Sequence, residues 1–131
     1  MATDTVKQEI LAQETGRSHM SVLSSKSGNV FIVTPQERLD TNSAPDVDAV
    51  VSKNIESGET KIVFDLSQIA YISSMGLRVI LKTVMTMMRK DGRVALCGGN
   101  DQVLRVLQLS GAMITTLHVP TLEEAVKKIQ S

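Results

Sequence analysis

Apolar and polar residues alternate in short blocks along the chain, and the first blocks predict a β-hairpin. Residues 20–25, "MSVLSS", and residues 30–34, "VFIVT", are apolar runs rich in β-branched residues, and "KSGN" separates them. Two runs of this kind around a glycine-containing turn are typical of paired antiparallel strands. The pattern therefore predicts a hairpin with Gly28 in its turn.

A helix is predicted after the hairpin, in "SAPDVDAVVSKNI" at residues 43–55. Its apolar residues recur at helical spacing: Val47, Val50, Val51 and Ile55. Ser43 and Asp46 have the spacing of a capping box, and Pro45 suits the first turn, where its missing N–H costs nothing. Gly58 is expected to end this helix.

Three further strands are predicted along the rest of the chain. "KIVFDL" at residues 61–66 and "RVALCG" at residues 93–98 are continuous apolar runs, and "TTLHV" at residues 115–119 supplies the last strand. Continuous apolar runs are typical of parallel strands that are buried on both faces.

Helical patterns follow each of these strands. The first runs from about Leu77 to Lys90, the second, "QVLRVLQLSG", has Asn100 as its expected N-cap, and the third opens with a capping box of Thr121 and Glu124. The predicted fold class is α/β: a mixed sheet with an N-terminal hairpin and then parallel strands, in the order β-β-α-β-α-β-α-β-α. Its crossovers are expected to be right-handed.

The length of 131 residues suits one domain behind a polar leader. Residues 1–19 are interpreted as a flexible arm or a leader left by cloning, because "SHM" at residues 18–20 resembles a cloning junction. Residues 20–131 are predicted to form the domain.

Composition narrows the classes of function. Fourteen basic and fourteen acidic residues cancel, and the only aromatic residues are Phe31, Phe64 and Tyr71, so direct nucleic-acid binding is not expected. A single cysteine, Cys97, suits a reducing compartment. No apolar run approaches the roughly 18 residues of a spanning helix, and we therefore expect a cytoplasmic protein without membrane insertion.

The sequence contains no recognisable catalytic or metal-binding pattern. His19, His118 and Cys97 are isolated from one another, so no metal ion or other cofactor is expected. No phosphate-binding glycine loop occurs, and the serine elbow of hydrolases is incomplete because Ile72, not glycine, lies two residues before Ser74. We predict that the chain is not an enzyme.

The junction "YISSMGLRVI" at residues 71–80 is the strongest candidate for a functional site. It lies where a strand gives way to a helix, on the edge of an α/β sheet where ligands and partners bind. Serine is a preferred helix N-cap, and a modified serine would also suit the positive end of a helix. From the residues alone, Ser73 and Ser74 are therefore candidates for capping, for modification, or for both.

A helical wheel of residues 77–90 predicts one apolar face and one basic edge. The face expected against the sheet contains Leu77, Ile80, Leu81, Val84, Met87 and Met88, with Met85 at its margin and Val79 outside it. Arg78, Lys82 and Arg89 form the basic edge. This edge is interpreted either as a solvated surface or as a docking surface for an acidic partner.

Four segments together resemble one known family: "LDTNSAPDVDAVV", "IVFDLSQIAYISSMGLRVILK", "GRVALCGGNDQVLRVLQLSGA" and "TLEEAV". They resemble the STAS domain, specifically bacterial anti-sigma-factor antagonists, over about Met20 to Ile129. The resemblance implies that Ser74, aligned through Gly76-Leu77, accepts a phosphate. It also implies a partner-binding surface made of Asp40, Thr41, Ser73, Met75, Gly76, Arg78 and Lys82. Met75 departs from the family pattern, in which a small residue is usual.

The resemblance further implies a phosphorylation-controlled partner switch. The unphosphorylated protein would bind an anti-sigma factor that is also a serine kinase and so free a sigma factor, phosphorylation of Ser74 would release the partner, and a protein phosphatase would reset the switch. Two alternatives remain: a non-catalytic scaffold subunit of a stress-signalling assembly or transporter complex, and an enzyme with a small-molecule site on the strand edge.

Overall fold

A computed structural model describes residues 21–130 of the chain, and residues 1–19, assigned above to an arm or leader, lie outside this range. In chain order, the elements are β1 (Val22–Ser27), β2 (Val30–Pro35), β3 (Glu37–Leu39), α1 (Ala44–Glu56), β4 (Lys61–Asp65), β5 (Ile69–Ile72), α2 (Ser74–Arg89), β6 (Arg93–Cys97), α3 (Asp101–Ser110), α4 (Ala112–Thr115), β7 (Leu117–Val119) and α5 (Leu122–Gln130).

The main sheet has five strands in the order β1-β2-β4-β6-β7. Strand β1 pairs antiparallel with β2 through a turn in which Gly28 has a φ of 60°, and the remaining pairs are parallel. The prediction of a hairpin followed by parallel strands is confirmed, and the nine predicted elements occur in the predicted order.

Three short elements were not predicted from the sequence: β3, β5 and α4. Strands β3 and β5 form a separate two-stranded parallel sheet, in which Leu39 lies opposite Ile72. A strand of three residues has too few positions for an alternating pattern to be recognised. Its existence depends on the partner strand, which lies some thirty residues further along the chain.

Both faces of the main sheet are buried, which explains the continuous apolar runs of its strands. Along β2, Phe31 and Val33 face the larger apolar cluster beneath α1, α2 and α3. Val30 and Ile32 face the opposite way, into a smaller cluster that α5 covers with Ala125 and Ile129. The domain therefore has helices on both faces of one sheet.

The predicted capping box of Ser43 and Asp46 at the start of α1 is wrong, because the capping pair lies one turn earlier. The Asp40 carboxylate accepts hydrogen bonds from the N–H groups of Asn42 and Ser43, at 3.0 and 3.2 Å. The Ser43 hydroxyl in turn accepts from the Asp40 N–H at 3.0 Å and donates to the Arg38 carbonyl at 2.8 Å. This is the reciprocal arrangement of a capping box, with aspartate in the first position.

The predicted caps of the later helices are present. The Asn100 side chain accepts a hydrogen bond from the Val103 N–H at 2.9 Å at the start of α3. At the start of α5, the Thr121 hydroxyl accepts from the Glu124 N–H at 3.2 Å and donates to the Glu124 carboxylate at 3.0 Å.

Helix α2 begins at Ser74, three residues before the predicted start, and its buried face is turned relative to the predicted one. Val79, predicted to lie outside the core face, is only 7% exposed, whereas Met88, predicted to face the sheet, is 67% exposed. Thr83 is buried because its hydroxyl donates to the Val79 carbonyl at 2.8 Å and so carries no unpaired polar group into the core. The wheel placed this face wrongly because it treated a threonine as a surface residue.

The thiol of Cys97 lies in the interior at the end of β6, beside Asp65 of the neighbouring strand. Burial, together with the nearby Asp65 carboxylate that disfavours the thiolate, raises the pKa of Cys97 to about 12. A thiol with this pKa is protonated and unreactive in the folded protein at neutral pH.

Candidate functional site

The small sheet brings the two predicted halves of the site together. Strands β3 and β5 run parallel, so the residues that follow their carboxyl ends lie side by side. The Ser73 N–H donates to the Leu39 carbonyl at 3.0 Å. Asp40 and Thr41 after β3 therefore lie next to Ser73 and Ser74 after β5, an adjacency that no local sequence pattern could have indicated.

The two serines have different structural roles. Ser73 is the N-cap of α2: its hydroxyl accepts a hydrogen bond from the Gly76 N–H at 3.2 Å, and its carbonyl accepts from the Leu77 N–H at 2.9 Å. Ser74 is the first helical residue, is exposed, and its hydroxyl makes no hydrogen bond to any residue in the range 21–130. The Ser74 hydroxyl is thus accessible to a partner protein.

Gly76 fixes the start of α2 against the small sheet. It is buried, and a Cβ atom at this position would overlap the Leu39 carbonyl oxygen and lie 2.7 Å from Leu39 Cγ. Real Cβ contacts essentially never come closer than 3.0 Å, so a side chain here would have to displace backbone. The role predicted for Gly76 is partner binding, but its position supports close packing within the domain.

Asp40 is held in place by the capping bonds described above and by a second interaction. Its carboxylate lies 3.1 Å from Arg38 Nε, and the Arg38 guanidinium stacks 4.7 Å above the centre of the Tyr71 ring. The pKa of Asp40 is lowered below its ordinary value of 3.8, chiefly by the hydrogen bond from the Ser43 N–H. The Arg38 side chain and the Asn42 N–H lower it in the same direction. The carboxylate is therefore charged and rigidly placed beside the serines at neutral pH.

An exposed apolar strip runs along α2 from the serines. We define the α2 strip as the residues that line a shallow groove of about 480 Å³: Ser74, Leu77, Arg78, Leu81, Lys82, Met85, Thr86 and Arg89. Met85 is 59% exposed, and Met75, at the tip of the helix, is 41% exposed. The strip thus combines flexible apolar side chains with three cations, a composition suited to docking a protein surface.

The three cations of the strip do not have the same surroundings. Lys82 Nζ contacts both carboxylate oxygens of Asp48 on α1, at 3.1 and 3.0 Å. Arg78 is exposed and makes no ion pair or side-chain hydrogen bond with the described residues. Lys82, predicted to bind a partner, therefore also forms an ion pair that links α1 to α2.

Sequence reasoning did not identify Arg38 or Asp48 as parts of this region, placed Ser43 in a different capping pair, and gave no role to Tyr71 within the candidate segment. Asp48 on α1 contacts Lys82 on α2, and Tyr71 lies under Arg38 of the neighbouring strand, so spacing in the chain carries no signal of these two contacts. The spacing of Asp40 and Ser43 does match a capping pattern and could have been found.

The described part of the chain also lacks the features of two other kinds of site, a metal site and a membrane-spanning helix. Within residues 21–130, no three His, Cys, Asp or Glu side chains are grouped so that they could hold a metal ion. In the same range, no helix has the length and apolar content needed to cross a bilayer. The site combines an open hydroxyl, a fixed carboxylate and a docking strip, which suits recognition by a protein.

Comparisons with known proteins identify relatives of the chain. The chain is 29% identical over 92 residues to a Bordetella bronchiseptica protein named as a candidate anti-sigma factor antagonist, BtrV, covering 70% of this chain and 79% of that protein. A candidate anti-sigma factor antagonist from Thermotoga maritima superposes with a TM-score of 0.80 at 25% identity, covering 84% of this chain and 95% of that one.

A third likeness concerns the fold alone. The Bacillus cell fate determinant SpoIIAA in its phosphorylated form superposes with a TM-score of 0.68 at 20% identity, covering 83% of this chain and 99% of that one. Residues 22–127 match the family described as the STAS domain, which is most of the chain. The family predicted from the sequence is confirmed: the chain belongs to the STAS domain family.

Proposed function

We propose that the protein is an anti-sigma-factor antagonist that works as a phosphorylation-controlled partner switch. The observation that carries the proposal is the position of Ser74, whose exposed hydroxyl has no hydrogen bond to a described residue and lies at the head of the α2 strip. The names of the relatives support the same class of function.

The unmodified protein would dock an anti-sigma factor through the strip and the serine end of α2. Leu77, Leu81 and Met85 offer apolar contact area, and Arg78 and Arg89 offer positive charge along one edge. Helix α2 contains no acidic residue, so its two cations without an ion pair, Arg78 and Arg89, would attract an acidic partner surface. Asp40, fixed beside Ser73, would set the register of the partner at the serine end.

Phosphorylation of Ser74 would end this interaction. The partner kinase would transfer the phosphoryl group of a nucleoside triphosphate, so that the Ser74 Oγ–P bond replaces a phosphoanhydride bond and the hydroxyl proton leaves to the kinase. The new group carries a charge of about −1.5 to −2. Like charges brought together across an interface cost several kcal/mol, and about 3 kcal/mol lowers affinity roughly a hundredfold.

The remaining assignments follow from this mechanism. A protein phosphatase would hydrolyse the phosphoserine and reset the switch, and all partners would meet in the cytoplasm. The protein itself would perform no catalysis, because both chemical steps belong to its partners.

The decisive experiment is phosphopeptide mass spectrometry of the protein isolated from its native cells. We expect phosphate on the peptide that contains Ser74 in the wild-type protein and none on that peptide in Ser74→Ala. Ser73→Ala is the matched control and should retain the phosphate, since Ser73 uses its hydroxyl as the N-cap.

Absence of phosphate under both growth and stress conditions would contradict the proposal. The scaffold alternative, in which the serine end is only a packing surface, would then be preferred. Turnover of a small substrate by the purified chain, lost in Ser74→Ala, would instead support an enzyme.

A further inference from the structure

Two cations of the α2 strip, Arg78 and Arg89, have no ion pair with a described residue, and Arg78 is the one close to Ser74. Ser74 and Arg78 both line the strip and lie four residues apart on the same helix. Residues at this spacing are neighbours on a helix surface. We infer that Arg78 pairs with the phosphate of phosphorylated Ser74, so that modification removes the cation from the docking strip; the inference rests on the proposed function.

The direction of the side chains favours this pair. Side chains on an α-helix lean toward the N-terminus, so the long side chain of Arg78 reaches back toward Ser74. An acidic group followed by a basic one four residues later is also the more favourable order on a helix. The planar guanidinium of arginine can in addition donate two parallel hydrogen bonds to one phosphate.

Other cations near the serine end are already engaged. Arg38 pairs with Asp40 and stacks on Tyr71, and Lys82 pairs with Asp48. Arg78 makes no ion pair or side-chain hydrogen bond with a residue in the described range, so the phosphate need not break an existing contact to recruit it. The Asp40 carboxylate would repel the phosphate and so increases the need for a compensating charge.

The ion pair between Arg78 and the phosphate would give phosphorylation of Ser74 a second effect on partner binding. The phosphate adds negative charge where an acidic partner would dock, and it also neutralises the one cation of the strip nearest the serine. Of the three cations, Lys82 is bound to Asp48, and only Arg89, at the far end of α2, would remain available. Release of the partner thus depends on lost attraction as well as on added repulsion.

The test is a ³¹P NMR titration of the full chain with phosphoserine encoded at position 74 during translation. Because Arg78 favours the dianionic phosphate, it should lower the second phosphate pKa, which is normally near 6. We expect Arg78→Ala to raise this pKa by about 0.2–0.4 units, as expected for an exposed pair at this spacing. Arg78→Lys should retain part of the effect, and added salt should reduce it.

Arg89→Ala is the matched control, since it removes the same charge from the same strip. Arg89 lies fifteen residues from Ser74 in sequence, about 22 Å along the helix and beyond the screening length of about 8 Å. An unchanged phosphate pKa in Arg78→Ala, or an equal shift in Arg89→Ala, would overturn the inference. Because the phosphoserine is installed without a kinase, this result is independent of whether native cells phosphorylate Ser74.

Discussion

Two adjacent serines at the start of α2 differ in structural role because they differ by one position in the helix. Ser73 adopts an extended backbone conformation before the helix, and its hydroxyl accepts a hydrogen bond from the Gly76 N–H in the first turn. Ser74 is inside the helix, where its hydroxyl projects from the surface. The same residue type is thus structural at one position and available for chemistry at the next.

This difference predicts different effects on stability. Ser73→Ala removes the cap of α2 and should lower the free energy of unfolding by about 1 kcal/mol. Ser74→Ala removes an exposed hydroxyl without a hydrogen-bond partner in the described range and should change it by less than about 0.5 kcal/mol. Urea denaturation followed by circular dichroism measures both, and equal losses in the two variants would refute the assignment of Ser73 as the cap.

At the scale of the element, α2 has two faces with different tasks. One face packs into the core through Val79, Ile80 and Val84, and the other presents the α2 strip to solvent. The sequence predicted that a helix would form here because its apolar period is clear. It placed Leu77 and Leu81 on the buried face although they also line the strip, and it missed Thr83, whose burial depends on a hydrogen bond to its own helix.

Charge reversal along the strip should slow docking. Replacing Arg78 and Arg89 by glutamate removes the two strip cations that are not bound to Asp48, and we expect association with the anti-sigma factor to slow roughly tenfold at low salt. Stopped-flow binding at two salt concentrations measures the rate, and the difference from wild type should shrink at high salt.

The control changes net charge equally on the other side of the sheet. Lys127 and Lys128 lie exposed on α5, and their double replacement by glutamate should leave the association rate close to wild type. If both double variants slowed association equally, net charge alone would account for the effect and the strip would have no special role.

At the scale of the whole molecule, the order of the large elements could be predicted from local signals. Each of these helices and strands has a recognisable pattern of apolar residues and a cap or turn at its end. The small sheet could not be predicted in this way, because β3 exists only where β5 lies beside it and Leu39 pairs with Ile72. The site follows the same division: Ser74 and its proximity to Asp40 were implied by the resemblance to the family, whereas the two-stranded sheet that brings them together could not be predicted.

The buried thiol of Cys97 makes the stability of the whole fold depend on pH. The pKa of Cys97 is about 12 in the folded chain against an ordinary value of 9.0, so above pH 9 the unfolded chain loses its thiol proton while the folded chain keeps it. Stability should therefore fall as the pH rises above 9. Urea denaturation of wild type and Cys97→Ala between pH 7 and 10 should show a pH-dependent loss that is smaller in the variant, and parallel profiles would contradict it.

The close contact between Gly76 and Leu39 has a consequence for signalling in time. The start of α2 packs against β3 with no room for a side chain at Gly76, and this close packing opposes a shift of the serine end when a group is added to Ser74. In the proposed switch, the protein would need no slow rearrangement between its two states, and its response would be as fast as the enzymes that modify it. A cell could set the delay and duration of the transcriptional signal through the amounts of kinase and phosphatase alone.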